Sequence, residues 1–172
     1  SCLGAALLGP PPAVAQLCAN VLITIYRRGA RTTLYTTVGQ LLSWLSNKVS
    51  PASAPAAKLA TVHLLGGLCA AHGGAMVSLC LDSITLLTKL TRSAEPSVRP
   101  MAWAAFGRAC TGSGGVPRAA QDEAVKNLKH ALTERGSTNE LRAAALAAAP
   151  MLAAYSEGLW ALLLPTRGFR SR

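Results

Sequence analysis

The chain has 172 residues, 51% of them apolar and only 5% aromatic, with 17 Lys and Arg against 7 Asp and Glu for a net charge of +10. A chain of this length buries roughly 70% of its unfolded surface and needs no disulfide or metal to hold a core, and alanine and leucine in place of alternating Val and Ile argue against a sheet. No acidic side chain occurs in residues 1–81, so the charge calls for an anionic neighbour, whether nucleic acid, an acidic membrane surface, an acidic protein segment or an acidic stretch of the same chain elsewhere.

The chain opens Ser-Cys-Leu without a methionine, as expected of a segment of something longer. Its apolar start, CLGAALLGPPPAVA, lacks a basic n-region and is broken by three prolines, which argues against a signal peptide. Pro10-Pro11-Pro12 opens a first helix and Gly29 closes it, with Val14, Leu17, Cys18, Val21 and Ile25 on one apolar stripe. A second helix runs from about Arg31 to Lys48, with Leu34, Val38, Leu41, Leu42 and Leu45 on one face. After the loop at Ser50–Pro55 comes a third, PAAKLATVHLLGGLCAAHGG, stopped at Gly73-Gly74. Residues 59–81 carry no formal charge and are long enough for a membrane span. Paired glycines, His63 and His72 interrupt the run, and alanine gives little lipid affinity, so no transmembrane span is expected.

A fourth helix covers about Ala75–Thr91, with Met76, Leu79, Leu86, Leu87 and Leu90 apolar. Ser93-Ala-Glu95-Pro96 breaks it, and a fifth runs to about Cys110 before a flexible Gly112–Gly115. The sixth, about Pro117–Arg135, is the most amphipathic: Ala124, Leu128, Ala131 and Leu132 face in, and Asp122, Glu123, Lys126 and Lys129 face water. Ser137 and Glu140 form a capping box for the seventh, which Pro150 should kink or shorten. Residues 158–164 allow a short eighth piece.

Lys58, Arg99 and Arg142 each open an alanine-rich helix, and each of those helices follows a leucine-rich helix and a short loop. A repeat of about 42 residues with two helices per unit is the pattern of HEAT and armadillo repeats, which stack into an α-solenoid. The expected fold is therefore all-α, an α-solenoid of antiparallel helix pairs with seven to eight helices. Residues 1–9 form an N-terminal extension, 10–164 hold three helix pairs plus one unpaired helix, and 165–172 are a basic tail.

The search for chemistry is short. Neither GxGxxG nor GxxxxGK[ST] occurs. Cys69 and His72 share a helix face, but His63 lies six positions from Cys69 and no second paired motif exists, so no metal site and no cofactor are expected. The five cysteines, Cys2, Cys18, Cys69, Cys80 and Cys110, are dispersed without a CxxC; Cys18, Cys69 and Cys110 sit in apolar helical runs as packing thiols, and the set reads as that of a reducing, cytoplasmic protein without a disulfide framework. The one adjacent acidic pair, Asp122-Glu123, complements a helix dipole. No catalytic residue emerges, and the chain reads as a non-enzyme. Arg27, Arg28 and Arg31 cluster at the turn between the first two helices, flanked by Tyr26 and Tyr35, and form the candidate interaction patch. That patch suits a protein partner or, alternatively, RNA or DNA.

The run VAQLCANVLITIYRRG, the stretch from APAAKLATVHLLGG to WAAFGRACTGSG, and KNLKHALTERGSTNELRAAALAAA together resemble the N-terminal region of the large HEAT repeat-containing proteins of family five. The resemblance covers about residues 10–157. It rests on the order of a helix ending Tyr-x-x-Gly, a Lys-Leu-Ala helix ending in Gly, a stop at Thr91-Arg92 and a Leu-Arg-Ala helix. It implies a long scaffold working with type-one clathrin adaptors and their accessory subunits in vesicle traffic, on the cytosolic side of Golgi and endosome membranes and held there only through partners. No catalytic or ligand residue comes with it.

Overall fold

In the computed structural model, residues 12–28, 32–47 and 55–153 are described, and all of the regular structure among them is helical. The helices are α1 (Pro12–Arg28), α2 (Thr32–Ser46), α3 (Pro55–His72), α4 (Val77–Leu90), α5 (Val98–Ser113), α6 (Arg118–Thr133) and α7 (Asn139–Ala153), with a 3-10 turn at Gly73–Ala75. α1 and α3 both begin on proline, whose missing N–H costs nothing at a first helical position. The expected eighth helix, the extension over 1–9 and the tail over 165–172 lie outside the described residues.

Two layers build the fold. α1, α3, α5 and α7 stack side by side as one layer, and α2, α4 and α6 form the other, with α2–α3, α4–α5 and α6–α7 as the helix pairs. The register is visible in single contacts. Asn20 meets His63, Thr88 meets Asn127, Gly66 abuts Ala105 and Gly107 abuts Ala148. Within each layer the helices thus run parallel, offset by about 40 residues, the repeat length of HEAT-like units. The fold is an all-α solenoid.

Sequence chemistry explains which helix goes where. α3 is covered on several sides: Val62, Leu64, Leu65, Leu68 and Cys69 are buried on one half, and Ala60, Gly66 and Gly67 extend the burial around most of its circumference. A helix apolar on all faces belongs in such a place. α6 buries Ala120, Ala124, Leu128 and Ala131 while Asp122, Glu123, Lys126 and Lys129 face water. In α5, Trp103 and Phe106 fill the centre edge to face, with ring centroids 5.7 Å apart.

The basic residue that marks each repeat has a structural task. Lys58 Nζ lies 2.7 Å from Glu95 Oε1, in the loop that leads into α5. One repeat on, Arg99 lies 3.9 Å from Glu134, in the loop that leads into α7, and its Nε donates to the Ser93 carbonyl at 2.7 Å. Arg142 donates to the Glu134 carbonyl at 3.2 Å. Each long cation pins the entry loop of an inner-layer helix. Asn127 does the same work between α4 and α6, donating to the Thr88 carbonyl (3.0 Å) and to Thr91 Oγ1 (3.1 Å) inside the core.

Three local expectations change. The stripe Val14, Leu17, Val21 and Ile25 on α1 is exposed, Leu17 by 63%; Ala19, Leu22, Ile23 and Tyr26 carry the contact with the rest of the fold. α1 is apolar on two sides, and periodicity alone does not choose between them. The cap of α7 is Thr138, not Ser137: its Oγ1 accepts from the Leu141 N–H at 3.1 Å. Gly112 is not linker but the end of α5, where it faces the Cys69 carbonyl of α3 too closely for any side chain. The helix stops at Gly114, whose φ of 78° gives the left-handed cap.

Candidate functional site

The predicted patch is only partly brought together. Arg27 and Arg28 are exposed on the last turn of α1, and Arg31 lies outside the described residues. The tyrosines expected to flank it for stacking are engaged elsewhere. Tyr26 is half-buried with its Oη 2.6 Å from Thr37 Oγ1, and Tyr35 Oη donates to the Ala75 carbonyl. What remains is a pair of solvated arginines and a Tyr35 ring that is still 46% exposed although its hydroxyl is engaged.

A better-built feature lies on the inner layer, where α3, α5 and α7 leave an open cleft of about 480 Å³. Met101, Ala104, Gly107, Ala147 and Met151 give it apolar walls, and Arg108 and His63 give it its polar groups. Small residues help to keep it open: a β-carbon added at Gly107 would only just reach Ala148, at 3.7 Å, and Ala104, Ala144 and Ala147 line the rest of the edge.

Its polar groups form a ladder across three successive inner helices. Arg108 Nη2 lies 3.2 Å from His63 Nδ1 and 3.4 Å from the His63 carbonyl, and His63 Nε2 lies 3.0 Å from Asn20 Oδ1. A guanidinium only donates, so Nδ1 must accept. The imidazole proton then sits on Nε2 and is donated to Asn20. Burial, and next the Arg108 charge, hold His63 below its usual pKa, which keeps the ring in that neutral tautomer. Burial also lowers the pKa of Arg108. Among the described residues Arg108 has no carboxylate partner, and its buried Nε has no acceptor. The indole N–H of Trp103, fully buried at the cleft wall, has none either.

No family model, curated protein or solved structure matches this chain.

The other reactive side chains are tied into the core. Cys69, Cys80 and Cys110 are buried together beneath α3, α4 and α5, and Cys80 Sγ lies 3.7 Å from the Ala109 carbonyl. A thiol hydrogen bond to Cys80, then burial, raises the Cys69 pKa; burial, then the neighbouring Cys80, pushes Cys110 up to about 12. Among the described residues no group of three or more His, Cys, Asp or Glu is placed to hold a metal, and no helix is long and apolar enough to cross a membrane.

Arg108 was within reach of sequence reasoning. It is the one charge in MAWAAFGRACTGS, with no acidic residue within four positions on either side. In the sequence His63 reads as an interruption of the uncharged run and as a possible metal ligand, and its actual neighbours are more than 40 positions away on either side.

Proposed function

We propose that this chain is a non-enzymatic scaffold segment whose solenoid surface binds other proteins, in the clathrin-adaptor-linked traffic of Golgi and endosome membranes. One observation carries the reading: the inner layer presents an open cleft with a cation, Arg108, that has no counter-charge among the described residues. Solenoids offer extended faces of this kind to partner segments. The carboxylates support it too, since Glu95 and Glu134 are committed to joining repeats. The trafficking assignment rests on the resemblance to the family-five HEAT proteins, with the chain acting in the cytoplasm and reaching membranes through its partners.

The test is binding of purified type-one clathrin adaptor complex to the immobilised full chain. Saturable binding that survives physiological salt supports the scaffold. Arg27→Glu combined with Arg28→Glu tests whether the exposed pair contributes. Failure to bind adaptor, together with tight binding of random RNA or DNA and a steep salt dependence, would replace this reading with nucleic-acid recognition.

A further inference from the structure

We propose that the cleft between α3, α5 and α7 is a recognition pocket for an acidic side chain flanked by apolar residues, presented by a segment of a partner protein, with Arg108 as the group that reads the carboxylate. The proposal deepens the scaffold reading and rests on it.

Three observations converge. The first is charge. An arginine in a partly desolvated position gains most from a charge-assisted bond to a carboxylate. The described ion pairs place carboxylates on Lys58, Arg99 and His130, none on Arg108. The second is orientation. His63 fixes one arm of the guanidinium through Nη2, and His63 is itself fixed by Asn20, so the remaining donors are held in place before any ligand arrives. The third is the wall. Met101 and Ala104 of α5 and Ala147 and Met151 of α7 offer adaptable apolar contact beside the cation. A volume of about 480 Å³ holds a few side chains.

The same features argue against nucleic acid in this cleft. Trp103 and Phe106 are fully buried and offer no ring face to a base, and a single cation does not follow a phosphate backbone. A free anion would use Arg108 but leave the methionine walls unused.

The test uses the full chain and a fluorescein-labelled peptide carrying Leu-Glu-Leu between glycine–serine flanks, read by anisotropy. Its twin has glutamine in place of glutamate. The glutamate peptide should bind, and the twin should bind at least about tenfold more weakly, the size of one lost charge-assisted pair. Arg108→Gln should cause a similar loss, while Lys126→Gln removes the same charge from the exposed face of α6 and should leave affinity within about twofold. Ala104→Glu guards against misfolding. Ala104 is exposed and one helical turn from Arg108, so the new carboxylate pairs with the arginine and should block the cleft in a folded protein. Equal weakening by Arg108→Gln and Lys126→Gln, equal binding of the two peptides, or undiminished binding to Ala104→Glu would overturn the proposal. So would displacement of the peptide by a uridine decamer that needs Arg108. Peptide binding without adaptor binding would remove only the trafficking assignment, and adaptor binding without peptide binding would remove only the pocket.

Discussion

Gly66 of α3 and Ala105 of α5 approach so closely that a β-carbon on the glycine would stand 2.7 Å from both the Cα and the Cβ of the alanine. The obstacle is backbone, which cannot swing aside. Gly66→Ala therefore gains about 1 kcal/mol of helix propensity but must separate the two most intimately packed helices, at a cost of about 1–3 kcal/mol for overpacking. The expected result is a net loss and a melting temperature lower by several degrees. Gly39 is the control, since a β-carbon there meets nothing within 4 Å. Gly39→Ala should stabilise α2 by about 0.5–1 kcal/mol. Thermal unfolding of the two variants checks the contrast, and equal shifts would show that α3 and α5 are not held this close.

Asn127 tests the polar joint between α4 and α6. It is buried and donates to the Thr88 carbonyl and to Thr91 Oγ1. Asn127→Ala takes the donor from Thr91 Oγ1 and one of two from the Thr88 carbonyl, which keeps the Thr91 hydroxyl at 2.7 Å, so a loss of about 1 kcal/mol is expected. Thr88→Val is the mild comparison, because that hydroxyl bonds only the Ile84 carbonyl of its own helix. Urea titration should lower the midpoint of Asn127→Ala with little change of slope, and lower that of Thr88→Val much less.

The fold was legible where the sequence repeats and obscure where distant segments meet. Alanine-rich helices opened by Lys58, Arg99 and Arg142 displayed the period, and the amphipathic face of α6 displayed its burial almost residue by residue. The exposed stripe on α1 misled because Leu17 and Val21 are as apolar as Leu22 and Ile23, and only the position of α3 breaks the tie. Thr138 and Ser137 are equally good caps on paper; the path of the chain selects one. The cleft was invisible for a different reason. Apolar periodicity reports what packs, and a cleft is where packing stops. The ladder Asn20–His63–Arg108 joins side chains whose register exists only once the inner layer has stacked.

His63 gives the stability a pH dependence. Its folded pKa lies below the unfolded value of 6.5, by burial first and the Arg108 charge second. Between the two values the unfolded chain binds more protons, so stability rises with pH there. The contribution is complete above about pH 6.5 and is lost as the pH falls toward the folded pKa. Protonation of Nδ1 also removes the acceptor that orients Arg108. His63→Gln should flatten the dependence of the melting temperature between about pH 7.5 and 5.5. An unchanged slope would mean that His63 titrates as freely in the fold as in the unfolded chain.

The cysteines should divide by depth. Cys18 is half-exposed on α1, whereas Cys69, Cys80 and Cys110 are buried, with Cys69 and Cys110 raised well above an ordinary thiol. Only the thiolate attacks an electrophile, and attack needs access as well as charge. Brief treatment of the native chain with iodoacetamide, followed by peptide mapping, should modify Cys18 and spare the three core thiols. Adding denaturant should then expose all three in the same range that unfolds the helices, because they join α3, α4 and α5. Modification of Cys69 at a denaturant concentration that leaves the helical signal intact would instead mean that α3 separates from its neighbours before the solenoid as a whole unfolds.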